Sequence, residues 1–344
     1  MDNGEHTPLG KIGKFGLIDR ISASARKENK TTASVIGDDS AVIDNVGYLT
    51  LVSTDLFLEG IHFNLIYSPL KHLGYKAVIR GISDICAMNG IPEQIMIGLG
   101  VSSRFTVEQV DEIYEGIRLA CDKYNIDLAG GDTSSSFTGL TISVTSIGKV
   151  APEKIVYRNG AKENDLICVT GDFGAAYMGL QLLERERKIY EKDKTIQPDL
   201  TGNEYIVARQ LKPEFPVKTL SDLSENGITP SSMIDASDGL ASDLLHLCKS
   251  SGTGCRIYSE KIPVDYETAR IAEEFNMDPM TPALNGGEDY ELIFTVPLSM
   301  LDKITRIENV KAIGHITHIE SGYTIVGEGG TEIALKAQGW TTGS

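Results

Sequence analysis

PLKHLGYKAVIRGISDICAMNGIPEQIMIGLGV, residues 69–101, is the stretch whose reading decides the fold. It reads as a helix from about Pro69 to Met88, with Gly90 and Pro92 as the residues that end it. Residues 94–101 then read as a buried strand, a short apolar run between turn signals. Helix and buried strand in direct succession point to an α/β layer. Upstream, residues 15–25 read as a short helix and residues 48–53 as a strand whose side chains alternate. Downstream, Thr106 and Gln109 form a capping box that opens a helix to about Lys123, and residues 126–129 and 140–150 supply two more strands. That set closes one unit near residue 150.

Residues 151–164 are polar, carry Pro152 and Gly160, and read as a link. A second alternation begins with strand 165–170, the turn Gly171-Asp172-Phe173-Gly174 and a helix over 175–187. A charged stretch to Asn203 reads as a solvated insertion. Strand 233–235, helix 240–250, strand 255–258, the Gly286-Gly287 turn and strand 290–296 follow. The chain is therefore expected to be a two-domain α/β (α+β) protein, divided into residues 1–150 and 151–344. Its 344 residues agree, because single hydrophobic cores stop growing below that length.

A content of 41% hydrophobic and 23% charged residues is that of an ordinary globular protein. The net charge of -16 and the pI of about 4.8 argue against holding nucleic acid or an anionic membrane through a basic field. No run approaches the roughly 18 apolar residues of a membrane span, residues 1–10 lack an apolar signal core, and the expected location is the cytoplasm. Cys86, Cys121, Cys168, Cys248 and Cys255 are odd in number, have no CxxC spacing, and read as structural thiols. His315 and His318 form an HxxH in a strand-like stretch without companions, which disfavours a metal site there.

The chemistry is written in carboxylates set beside glycine or hydroxyl residues. They are Gly37-Asp38-Asp39, Ser53-Thr54-Asp55, Asp84, Gly130-Gly131-Asp132, Asp235-Ala236-Ser237-Asp238 and Gly287-Glu288-Asp289. Taken singly, each reads first as a turn or a helix cap. Taken together, many acids and almost no fixed bases flank the glycine-rich turns. Two like charges ~4 Å apart repel by about 4 kcal/mol at an effective dielectric of 20, so such acids converge only around cations. Hard oxygen ligands select magnesium or calcium, and magnesium bridges carboxylates to substrate phosphates. Neither GxxxxGK[ST] nor a protein-kinase signature occurs, which leaves phosphoryl transfer supported by a carboxylate cluster.

IGDDSAVI (36–43), STDLFLEGIHF (53–63), YKAVIRGISDICAMNG (75–90), LAGGDTS (128–134), YRNGAKENDLICVTG (157–171), MIDASDGLASDL (233–244) and NGGEDYEL (285–292) stand in the order and spacing of a known family. Over about residues 14–320 the chain resembles the thiamine-monophosphate kinases of the aminoimidazole ribonucleotide synthetase superfamily. The resemblance implies an N-terminal domain whose strands build a β-barrel across a homodimer interface, with a C-terminal α/β domain behind it. It implies direct, in-line transfer from ATP to thiamine monophosphate, with several Mg2+ ions and no phosphoenzyme.

Carried over by motif, Asp39, Ser53, Thr54, Asp55, Asp84, Asp132, Asp235 and Asp238 resemble magnesium ligands, with Asp55, Asp84 and Asp132 at the chemical step. Gly131, Asp132, Arg158 and Ser237 resemble contacts to the nucleotide phosphates, and Tyr114 a contact to the adenine, although it reads equally as a half-buried helix aromatic. For Arg158 the alternative is a solvated loop charge. His62, Glu288 and Trp340 resemble acceptor contacts. His62 is otherwise a satisfied strand histidine and Glu288 a cap. Another ATP-dependent enzyme of the superfamily, or a non-catalytic nucleotide and magnesium sensor, are the competing functions. Of the sister enzymes, a selenophosphate synthetase should show a reactive cysteine near its N-terminus, and the first here is Cys86.

Overall fold

The structure is a computed structural model that describes residues 38–337, residues 30–34 and positions 16, 18, 19, 22 and 23. The helix expected over 15–25 therefore lies mainly outside the described residues, and Trp340 lies wholly outside them.

Six strands, β1 (Thr32–Ser34), β2 (Ala41–Asn45), β3 (Tyr48–Leu58), β4 (Ile91–Val101), β5 (Asp127–Ser135) and β6 (Thr141–Val150), form one sheet in the order β1-β2-β3-β6-β4-β5. Only β4 and β5 run parallel. A parallel pair needs a crossover, which here contains helix α2 (Val107–Tyr124), opened by the Thr106–Gln109 capping box. The helix read from the opening stretch is α1 (Leu70–Ala87). Alternate residues of the central strands, among them Leu51, Ile95, Ile97, Leu99, Ile142 and Val144, are buried on the face that α1 covers. The two helices touch at glycines. A Cβ on Gly74 would stand 2.0 Å from the Ile113 carbonyl oxygen, and one on Gly116 1.8 Å from that of Lys71.

Three strands differ from expectation. β3 does not stop at Ser53 but continues to Leu58, because β6 pairs with it from Leu49↔Val150 to Leu58↔Thr141. Ser53-Thr54-Asp55 is thus mid-strand. β4 starts at Ile91 and takes Pro92 in, next to a register shift between Pro92 and Gln94. β5 runs through Gly130-Gly131-Asp132 to Ser135, and Gly131 lies so close to β4 that a Cβ would meet the Ile97 oxygen at 2.0 Å.

Among the described residues, nothing covers the opposite face of this sheet. Leu56 and Met96 are 55% and 38% exposed on it, and every residue of β5 is exposed. Among the described residues the sheet is open, with β1 and β5 as its edges, and no barrel closes.

The second sheet contains β7 (Leu166–Thr170), β8 (Ser232–Asp235), β9 (Gly254–Tyr258), β10 (Leu292–Val296), β11 (Val310–Thr317), β12 (Tyr323–Val326) and β13 (Glu332–Ala334), in the order β13-β12-β9-β11-β7-β10-β8. Its helices include α3 (Ala175–Lys192), α4 (Glu204–Leu211), α5 (Val217–Glu225) and α6 (Leu240–Ser251). α3 extends past the expected end at Arg187, held by an Arg187 side chain that bonds Glu184 and Glu191 on its own face. One apolar cluster joins α1 and α2 to Leu166, Met233, Leu292 and Phe294, so both sheets share it. All five cysteines are free and buried. Among the described residues, no helix is long and apolar enough to cross a membrane.

Candidate active site

Where the sheets meet, α1 presents Lys76, Arg80, Ser83 and Asp84 at spacings that place them on one helix face. That face looks at β3 on one side and β8 on the other. Ser83 Oγ donates to Asp235 Oδ2 at 2.8 Å, and Ser53 Oγ donates to Asp84 Oδ2. Asp39, which follows the bridge residue Asp38, completes the group. One carboxylate oxygen from each of Asp39, Asp84 and Asp235 lies within 4.8 Å of the other two. Arg158, from the segment between the sheets, forks onto Asp39, with Nε donating to Oδ2 at 3.1 Å and Nη2 donating to Oδ1.

A cavity of about 750 Å³ opens here, lined by Asp39, Ser53, Thr54, Asp55, Asp84, Arg158, Asp235, Ser237 and Asp238 together with Arg80, Ser83 and Tyr290. It wraps round an open strand edge. Ala41↔Val52 is the last rung between β2 and β3, so among the described residues Ser53 to Leu58 have no strand paired on that side.

Two loops carry the C-terminal part of the site and are bonded to each other. Glu288 N–H donates to the Ser237 oxygen at 2.9 Å and Tyr290 N–H to the Ala236 oxygen at 3.0 Å. Gly287 has φ +73°, and a Cβ there would lie 2.8 Å from the Ser237 oxygen. Glu288 and Tyr290 themselves sit at φ 58° and 52°, a left-handed geometry that costs non-glycine residues energy and is retained where surroundings enforce it. Asp243, at the start of α6, accepts the N–H groups of Asp238 and Gly239 at 3.0 and 3.1 Å and so shapes the Ser237-Asp238 turn.

The carboxylates resist carrying their charges together. Burial first, and then the charges of Asp55, Asp235 and Asp39, push Asp84 well above the usual carboxylate range. Burial and the charge of Asp39 push Asp235 up to about 7, against the opposing pull of the Ser83 hydroxyl and Arg158. Such a group becomes fully ionised when a cation joins it, and an all-oxygen donor set fits magnesium. The residues present therefore fit that ion.

Residues 37–150 match the family described as AIR synthase related protein, N-terminal domain. The chain is 33% identical to the thiamine-monophosphate kinase of Aquifex aeolicus over 84% of its own length and 87% of that protein's. It is 34% identical to the thiamine-monophosphate kinase of Bacillus subtilis, over 83% and 84% of the two chains. The chain belongs to the thiamine-monophosphate kinase family. A solved structure of AaThiL complexed with AMPPCP and TMP superposes on this family member with a TM-score of 0.81 and 29% identity, covering 99% of this chain and 100% of that one.

Not every expected site residue of this thiamine-monophosphate kinase family member gathers at the cluster. Asp132 and Gly131 are on β5, three strands from β3 in the sheet order, which is about 14 Å at the usual strand spacing. Asp132 pairs with Gly98, which pairs with Ser143, while Thr54 pairs with Thr145. Side chains of paired residues share a face, so Thr54 and Asp132 both project from the bare face, opposite to Ser53 and Asp55. The Thr54 hydroxyl meets that of Thr145 at 3.0 Å there. Tyr114 packs half-buried from α2 against the shared apolar cluster.

His62 and Glu288 sit beside the cluster. The Leu58 N–H donates to His62 Nδ1 at 3.1 Å, which leaves the ring proton of a neutral His62 on Nε2. Glu288 accepts from the buried Lys76 at 2.9 Å and from Gln210 Nε2 at 3.4 Å. Burial alone would raise its pKa, but Lys76, Arg80 and His62 together hold it below the usual range. Arg80, Lys76, Ser83 and Tyr290 were not singled out from the sequence. Their signal was available: the first three stand four, eight and one residues before Asp84 on its helix face, and Tyr290 directly follows Gly287-Glu288-Asp289 in the NGGEDYEL stretch.

Proposed function

We propose that this chain transfers the terminal phosphoryl group of ATP to thiamine monophosphate, giving ADP and thiamine diphosphate. The observation that carries this is the convergence of Asp39, Asp84 and Asp235 beside Arg158 in a cavity between two sheets. An oxygen of the acceptor phosphate attacks the γ-phosphorus, and a new O–P bond forms in line with the bond to the β,γ-bridging oxygen. That bond breaks, and its electron pair leaves with ADP. The attacking oxygen is already anionic at neutral pH, so the chain need supply no general base.

Asp39, Ser53, Asp55, Asp84, Asp235 and Asp238 would hold magnesium, with Thr54 and Asp132 on the bare face. Bound magnesium neutralises and aligns phosphate oxygens. Arg158 and Ser237 face the nucleotide phosphates from the C-terminal side of the cavity; Gly131 and Tyr114 belong to the nucleotide side of the same proposal. Ionised Glu288 suits the cationic ring system of the acceptor, and His62 offers it an Nε2–H. Trp340 is assigned to the acceptor by resemblance alone.

We infer further that the chain divides near residue 150, that it works in the cytoplasm, where its five free thiols persist, and that it is a homodimer. The bare sheet face, the exposed edge β5 and the open edge of β3 beyond Val52 support the dimer. Joining two copies through those edges closes a barrel and brings Asp132 of one copy toward Thr54 of the other, on the face that the barrel encloses.

The test is an assay of purified protein with ATP, magnesium and thiamine monophosphate, following thiamine diphosphate directly, with EDTA and free thiamine as controls. Metal-dependent product from the monophosphate is expected. ATP consumption without it would move the acceptor to that of a sister enzyme, and absence of ATP binding would leave no kinase.

A further inference from the structure

Two cationic side chains stand among the acids of the cavity, and they are engaged differently. Arg158 places two of its donors on Asp39 and is held there. Among the described residues Arg80 donates one hydrogen bond, from Nε to Asp55 Oδ1 at 3.1 Å. Its Nη1 is 3.8 Å from Glu288 Oε1, beyond hydrogen-bond range. A guanidinium has five N–H donors in a rigid fork, so most of the Arg80 fork is available to a ligand. The guanidinium also lies 5.9 Å from the centre of the Phe57 ring.

Tyr290 supplies a second and independent observation. It lines the same cavity with a fully buried side chain, and its hydroxyl has no hydrogen-bond partner among the described residues. A buried hydroxyl without a partner costs about 1–3 kcal/mol. The left-handed φ of 52° adds to that cost and points to a ligand that repays it.

Arg80 therefore bridges two ends of one site. Asp55 lies on the side of the carboxylate cluster, where the transfer occurs, and Glu288 on the side assigned to the acceptor ring. A phosphate monoester whose ring faced Glu288 would carry its phosphate between them. Given the acceptor proposed above, we propose that the Arg80 guanidinium and the Tyr290 hydroxyl together seat the phosphate of thiamine monophosphate. The seat selects the phosphorylated acceptor over free thiamine, because only the former answers the open guanidinium fork.

The experiment is titration calorimetry of wild type, Arg80→Met and Tyr290→Phe, with magnesium and a non-hydrolysable ATP analogue present. Each is titrated with thiamine monophosphate and, separately, with free thiamine. Arg80→Met should weaken the monophosphate by about 10- to 100-fold and Tyr290→Phe by about 5-fold, with free thiamine unchanged. In turnover, KM for the acceptor should rise with KM for ATP unchanged. Wild-type affinity for the monophosphate in both variants overturns the seat. Equal losses for both ligands also overturn it, since Arg80 would then act only by steadying Glu288. If Arg80→Met does not fold, as judged by its melting and by binding of the ATP analogue, Tyr290→Phe decides alone. A wild type that binds the ATP analogue but not the monophosphate overturns the proposed acceptor itself, and the seat with it.

Discussion

Asp84 holds a charge the fold does not welcome, which separates its two effects on substitution. Asp84→Asn should lower kcat by on the order of 100-fold or more, since magnesium loses a shared ligand. The same change should raise the melting temperature of the EDTA-treated protein by about 2 °C or more, because a repelled carboxylate is gone. Unchanged turnover would remove Asp84 from the metal site. The pH dependence has a definite sign. Asp235 titrates near 7 in the folded chain but near 4 when unfolded, so its protonated form stabilises the metal-free protein at low pH, and that contribution is lost as pH rises from about 4 through about 7. Magnesium requires the ionised form, so its affinity should fall as pH drops through about 7. Calorimetry at pH 8 and pH 6 checks this, and an affinity that stays level would mean that Asp235 is no ligand. At this scale the acids were legible because Asp beside Gly or Ser is conspicuous. Arg80 and Lys76 were not, because a basic residue inside an apolar helix reads as a stray surface charge until the partner across the groove is known.

Among elements, α1 matters most: it carries the functional face on one side and packs on α2 through glycines on the other. Gly116→Ala puts a Cβ where the Lys71 carbonyl stands, 1.8 Å away. Residue 116 is on α2 and lines no part of the cavity, yet the change must push α1 outward. We expect a stability loss of about 2 kcal/mol or more in urea unfolding, and a drop in magnesium affinity as Asp84 shifts against Asp235. Full stability in Gly116→Ala would show that the helices separate freely. The helices and the strand order of motifs were readable from punctuation, as with Gly90 after α1 and the capping box before α2. Strand lengths were not. Ser53-Thr54-Asp55 and Gly130-Gly131-Asp132 look like strand ends because Gly, Ser and Asp disfavour strands, and only pairing with β6 and β4 overrides that preference.

For the whole molecule, the two sheets and their helices are joined by polar contacts that include Ser83 with Asp235, Arg158 with Asp39 and Lys76 with Glu288, over a shared apolar floor. The separation of Asp132 from the cluster makes the dimer testable by mixing. Asp84→Asn and Asp132→Asn should each be inactive alone, and unfolding and refolding them together should restore roughly a quarter of wild-type activity, because half the mixed dimers' sites are intact. No recovery would place both residues in the site of one copy. The five cysteines have a different consequence. Cys86 and Cys121 lie on the helices behind the first sheet, Cys168 and Cys255 on strands of the second and Cys248 on α6, all of them shut away from solvent. A thiol-reactive dye should therefore ignore the resting protein and mark it only when it breathes, with each unit carrying its own reporters. Mass spectrometry of the tagged peptides would then time the opening of the two halves separately, without adding a probe to the chain.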